Sequence, residues 1–95
     1  MFTSEGRGNT PFHGGLLCLA RGDIRRTTVV DSGGAGSCDG AFQIDMNCFA
    51  AGGCGGNPPA YLSSVGQQVN CQWWGRDSVM TGSFMSDALE YIVVP

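Results

Sequence analysis

From Val69 to Asp77 the chain reads Val-Asn-Cys-Gln-Trp-Trp-Gly-Arg-Asp, and both of its tryptophans fall inside this run. An extended strand sends successive side chains to opposite faces. Val69, Cys71 and Trp73 therefore share one side, and Asn70, Gln72 and Trp74 the other. So much apolar bulk on a single strand needs covering layers, and the rest of the chain has to supply them. Trp73 is the core candidate, and Trp74 is the residue whose exposure decides between readings.

With 95 residues the chain makes one domain. A domain of this size buries only about 60 to 65% of the surface its unfolded chain exposes, so the core is thin and cross-links help. Glycine supplies 16 positions without a collagen-like period, which points to loops and tight turns between short elements.

Met1 to Gly15 is polar and Gly-rich and is expected to be a flexible N-terminal arm, leaving 16–95 as a single β-rich domain. Within that domain, Leu16 to Arg21 and Ile24 to Val30 are expected as a hairpin turning at Gly22-Asp23. The turn spells Arg21-Gly22-Asp23, a tripeptide familiar from integrin ligands, but a turn that needs Gly and Asp is the simpler explanation and the preferred one. Asp31 to Gly40 is a loop. It opens like a dinucleotide fingerprint, but Asp39 stands where the third Gly is needed and no helix pattern follows. Asp31 and Asp39 offer oxygens to a calcium ion, without the spacing of an EF-hand.

Ala41 to Ala50 alternates, with Phe42, Ile44, Met46 and Cys48 against Gln43, Asp45 and Asn47, and reads as a strand. Asn57-Pro58-Pro59 excludes helix and central strand. Tyr61 to Val65 is expected as a turn or edge strand, Gln67 to Trp74 as the central strand, and Ser78 to Asp87 as a turn-rich link. In that link Met80, Phe84 and Met85 act as flaps over the core edge. Leu89 to Val94 closes the set. About five strands result, with no convincing amphipathic helix.

Five cysteines in so short a chain suggest an oxidising compartment, outside the cell or at its surface. Leu16 to Ala20 is too short for a signal-peptide core and no basic segment precedes it. The chain is therefore expected to be a terminal fragment of a longer exported protein, or a reading frame whose true start is missing. The spacings do not fix the connectivity. The preferred bridges are Cys18 with Cys38 and Cys48 with Cys54, which leave Cys71 as a buried thiol.

Charge and composition exclude several activities. The formal net charge of −3 argues against a phosphate-tracking surface and hence against nucleic acid. All five basic residues are arginine, so the lysine of a Walker-type phosphate loop or a Schiff base is missing. The lone His13 and the cysteine spacings give no zinc pattern, and there is no nucleophile elbow or evident triad. No cofactor, metal or catalytic residue is expected. If Trp74 faces solvent, its ring can stack on a sugar or on the Arg76 guanidinium, with Gln72 and Asn70 donating hydrogen bonds on the same face. Burial of both rings between layers is the preferred alternative.

Four segments carry a family likeness. Arg25-Arg26-Thr27, Cys38 to Asn47, Gln72 to Asp77 and Ser86 to Tyr91 together resemble a little-characterised module at the C-terminal end of large exported bacterial proteins. The likeness spans about 16–95 and is strongest in the Gln-aromatic-Trp-X-Arg-Asp run. It implies an extracellular β-rich module without known catalytic residues, and a structural role for Trp74.

The expected fold is all-β, a small antiparallel β-sandwich or partly open β-barrel cored by Phe42, Ile44, Met46, Val69, Trp73, Leu89, Tyr91 and Val93. The expected role is that of a noncatalytic structural or assembly module. Its partners would be other domains of a larger exported protein or a second copy, met through an edge strand. A carbohydrate-binding module using Trp74 to hold polysaccharide is the alternative.

Overall fold

The computed structural model describes residues 1–12, 14–31, 33, 41–76 and 83–95, without the side chains of Arg76 and Ser83. The chain is mostly strand, with five strands in two antiparallel sheets: β1 (Phe2–Thr3), β2 (Arg7–Phe12), β3 (Gly15–Leu19), β4 (Gln68–Arg76) and β5 (Ser83–Ile92). Its only α-helix among the described residues, α1 (Met46–Ala50), is a little over one turn long, and a 3-10 turn covers Ala60–Ser63. The all-β expectation holds.

β4 organises the fold. One sheet runs β1-β4-β5, so β4 has a strand on each edge, and β2 pairs with β3 in a separate ribbon. Along β4, Val69, Asn70 and Gln72 are all buried. Both faces are therefore covered around Val69 to Gln72, whereas Trp73 and Trp74 further along are half-buried. On the Val69 side, Phe2, Phe49, Leu62 and Val69 form the buried cluster, with Met46, Tyr61, Cys71 and Tyr91 packed against it. Phe2 lies edge-on to both Phe49 and Tyr61, with ring centroids 5.7 and 6.3 Å apart, an arrangement that the ring quadrupoles favour. On the Gln72 side the β2-β3 ribbon forms the cover, and Leu17 and Leu19 are buried under it.

Five expectations need correction. Residues 1–15 are not an arm: they supply β1 and β2, and Phe2 is 1% exposed in the core. The polar composition of the segment concealed one aromatic anchor whose burial outweighs the cost of ordering a few residues. The hairpin expected to turn at Gly22 forms earlier in the chain instead. β3 pairs back onto β2 across a tight connection in which Gly14 takes φ +80°, a conformation open to glycine at little cost. Residues 24–30 keep only an isolated bridge, Phe2 to Arg25.

The strand expected over Ala41 to Ala50 does not form: 41–45 belong to neither sheet, and a helix begins after Asp45. There the carboxylate accepts hydrogen bonds from the backbone N–H groups of Asn47 and Cys48, at 3.0 and 3.2 Å. This cap satisfies donors that a strand would have needed a neighbour to pair, and α1 follows, burying Phe49. Finally, Leu89 is 63% exposed and stays outside the core, because no described element packs over it. Strand β5 begins at Ser83, so Phe84 and Met85 are strand residues and not loop flaps; Met80 lies outside the described residues.

Of the expected bridges, Cys48–Cys54 is formed, with Cα atoms 5.5 Å apart. It pins α1 to the Gly-rich turn that follows. Cys18 and Cys71 carry free thiols; Cys38, the partner expected for Cys18, lies outside the described residues. No helix of the described residues is long and apolar enough to cross a membrane.

Candidate functional site

Trp73 and Trp74 project to opposite sides of β4, and the two sides differ in what they offer a ligand. A bulge makes the contrast possible. Between the pairs Gln72↔Ala88 and Trp74↔Met85 the partner strand carries one extra residue, and the Ser86 hydroxyl accepts the Trp73 N–H at 2.9 Å. Bulges of this kind re-aim side chains and end regular pairing.

On the Trp74 side the polar groups are already engaged. The Gln72 side-chain oxygen accepts the Cys18 N–H at 2.9 Å, and its amide nitrogen donates to the carbonyls of Leu16 and Ser86 at 2.9 and 2.8 Å. One buried amide thus ties β3, β4 and β5 together. Asn70 donates to a Glu90 carboxylate oxygen at 3.0 Å and accepts from Gln68 at 3.2 Å. The Arg7 guanidinium reaches the same carboxylate at 2.8 Å. The hydrogen bond from Arg7, and then that from Asn70, hold the Glu90 carboxyl below its ordinary pKa, because both stabilise the charged form.

Trp74 itself is half-buried. Phe12 meets it edge-on at 5.7 Å, and the Arg26 guanidinium carbon lies 5.2 Å from its ring centroid. The expected stacking arginine was Arg76. Its backbone ends β4 opposite Ser83, its side chain lies outside the described residues, and Arg26 lies over the Trp74 ring. Phe12 and Arg26 belong to segments distant in sequence, so no local signal marked them. Asn70 and Gln72 were expected as hydrogen-bond donors to a ligand on this face, but both are buried and bonded within the protein.

The Trp73 side is open. A cleft of about 310 Å³ lies between β4-β5 and the extended segment 41–45, walled by Phe42, Ile44, Cys71, Trp73, Leu89 and Tyr91, with Asp87 on its lining. Phe42 leans on Trp73 at 5.3 Å and on Phe84 at 6.0 Å. A second hollow of about 470 Å³, lined in part by Thr28, Val30 and Trp74, shares the Phe42–Trp73 wall. Burial pushes the Cys71 thiol up from its ordinary pKa, and burial, together with Cys71, pushes Tyr91 up to about 12. Both groups are therefore neutral near pH 7, as the apolar lining favours.

β5 presents a third feature. It runs for 10 residues, and only β4 pairs with it among the described residues. Its outer edge is thus unpaired, and Phe84, Leu89 and Ile92 are exposed along it, with Val94 just beyond.

Other expected sites stay apart from these. Asp31 accepts the Gly33 N–H at 2.8 Å, as in an ordinary turn, and Asp39 and His13 lie outside the described residues. Among the described residues no three His, Cys, Asp or Glu side chains cluster as a metal site would require. Arg21, Gly22 and Asp23 are exposed, with Asp23 paired to Arg25 at 2.8 Å.

No family model, curated protein or solved structure matches the chain. The functional reading therefore rests on the geometry.

Proposed function

We propose that this chain is a noncatalytic structural module of an exported protein, and that it assembles by adding a strand from a second copy to the outer edge of β5. The observation that carries the reading is that unpaired edge. Exposed edge strands are templates for pairing, and proteins that must stay apart shorten them or charge them. Here the strand is long and its only charges are Asp87 and Glu90. Glu90 is already neutralised by Arg7, and Asp87 sits at the bulge, which protects the Ser83 end. The stretch 88–92 remains regular and open, and an antiparallel pair about a twofold axis lets one edge serve both copies. The Cys48–Cys54 bridge supports a place where thiols oxidise, outside the cell or at its surface.

A sugar platform at Trp74 is less well supported, because Arg26 occupies a ring position that a pyranose would need and the neighbouring amides are already bonded. Sedimentation velocity over a concentration series tests the assembly reading. The wild-type domain is expected to form dimers, and the double variant Ala88→Asp/Ile92→Asp, which places two more carboxylates beside Glu90 on the same face, to stay monomeric with an unchanged far-ultraviolet spectrum. A wild-type domain that is monomeric throughout, or a double variant that dimerises equally, would sink the proposal.

A further inference from the structure

The cleft beside Trp73 has a use that strand pairing does not call on. It opens on a face of the sheet, whereas assembly uses the edge. Three features make it a binding site and not a packing flaw. Its wall 41–44 forms no backbone hydrogen bond among the described residues, and it meets the sheet through side chains, Phe42 lying against Trp73 and Phe84. Its lining is apolar, with Trp73, Phe42 and Tyr91 giving flat surfaces that turn toward one volume. That volume, about 310 Å³, lies at the small end of the range that ligand pockets occupy.

Charge narrows the class of occupant. Two groups able to carry opposite charges line the cleft, the Asp87 side chain and the α-amino group of Met1, whose pKa burial lowers, while Cys71 and Tyr91 keep their protons. Opposed charges on an otherwise apolar lining favour neither an anion nor a cation, and an uncharged guest leaves both in contact with water.

We propose that the cleft between β4-β5 and residues 41–45 binds a compact, uncharged aromatic or aliphatic molecule, seated against Trp73 with Cys71 on its lining. Cys18 provides an internal reference, because its free thiol belongs to the ribbon on the opposite face of the sheet.

The test uses N-phenyl-1-naphthylamine, an uncharged apolar fluorophore, with the full chain. Its emission should rise to saturation at one probe per chain. Bound probe should slow N-ethylmaleimide labelling of Cys71 several-fold, read peptide by peptide by mass spectrometry, and leave Cys18 labelling unchanged. Leu89→Asp, at an exposed position on the mouth, should weaken probe binding about tenfold, which corresponds to about 1.4 kcal/mol. Asp87→Asn should improve binding of the anionic analogue 1-anilinonaphthalene-8-sulfonate relative to the wild type. Cys71 labelling that is indifferent to the probe, or binding that does not saturate, would overturn the proposal. So would saturation at one probe per two chains, which would assign the hollow to an interface between copies. If Leu89→Asp loses the native circular dichroism, Cys71 protection in the wild type decides the matter alone.

Discussion

Among single residues, Glu90 shows how a position read from sequence as one face of a closing strand acquires a specific electrostatic task. Its carboxylate takes hydrogen bonds from Arg7 of β2 and Asn70 of β4, and so joins the ribbon to the sheet. Its pKa lies below the ordinary value in the folded protein, so the folded state binds its proton less readily than the unfolded chain does. The resulting stability is present above the ordinary carboxylate pKa of 4.5 and is lost as pH falls through the lower folded value. Urea unfolding followed from pH 7 down to pH 3 should show the wild type losing stability in that acid window. Glu90→Gln should flatten this part of the profile. A profile unchanged by the substitution would mean that the exposed Arg7–Glu90 pair contributes nothing measurable, as many surface ion pairs do.

For the secondary-structure elements, the contest between strand and helix at 41–50 is decided by one side chain. The alternation of Phe42, Ile44, Met46 and Cys48 favours a strand, yet among the described residues no strand pairs with it. Asp45 then offers the N–H groups of Asn47 and Cys48 an acceptor of their own, and the Cys48–Cys54 bridge closes the next turn. A helix this short has little stability without its cap and its cross-link. Asp45→Ala should therefore cost about 1 kcal/mol in chemical denaturation with the disulfide intact. Asp45→Asn, which keeps the accepting oxygen, should restore most of the loss. Equal losses in the two variants would show that the charge, and not the cap, is what matters.

Across the whole molecule, the two sheets are joined by the buried Leu17 and Leu19 of β3 and by side-chain hydrogen bonds from the Gln72 amide and the Arg7–Glu90 pair. Gln72→Leu keeps the volume approximately and removes the partner of the Cys18 N–H and of the Leu16 and Ser86 carbonyls. A buried group left without its partner costs about 1 to 3 kcal/mol; the three here are part-buried, which sets each at the low end, so a loss of about 3 kcal/mol in unfolding free energy is expected. The loss should come with faster hydrogen exchange at Cys18 specifically. Destabilisation without that local change would argue that Gln72 acts only by filling space. The same amide was a candidate for holding a ligand when only the strand pattern was known. An amide on a polar face looks the same in sequence whether it meets solvent, a sugar or another sheet.

What the sequence determined by itself was the extended structure of the segments whose periodicity found a partner. The paired amides and apolar residues of Val69 to Trp74 and the alternation running toward Val94 specify strands, while the equal alternation of 41–50 did not suffice to make one. What the tertiary structure alone decided was which surfaces meet. It placed Phe2 beside Val69, paired β3 with β2 and not with residues 24–30, laid Arg26 over Trp74, and left the Trp73 side hollow. Those outcomes depend on contacts between residues far apart in the chain. Their free energy comes from burying apolar area, which has no direction and leaves no periodic mark on the sequence.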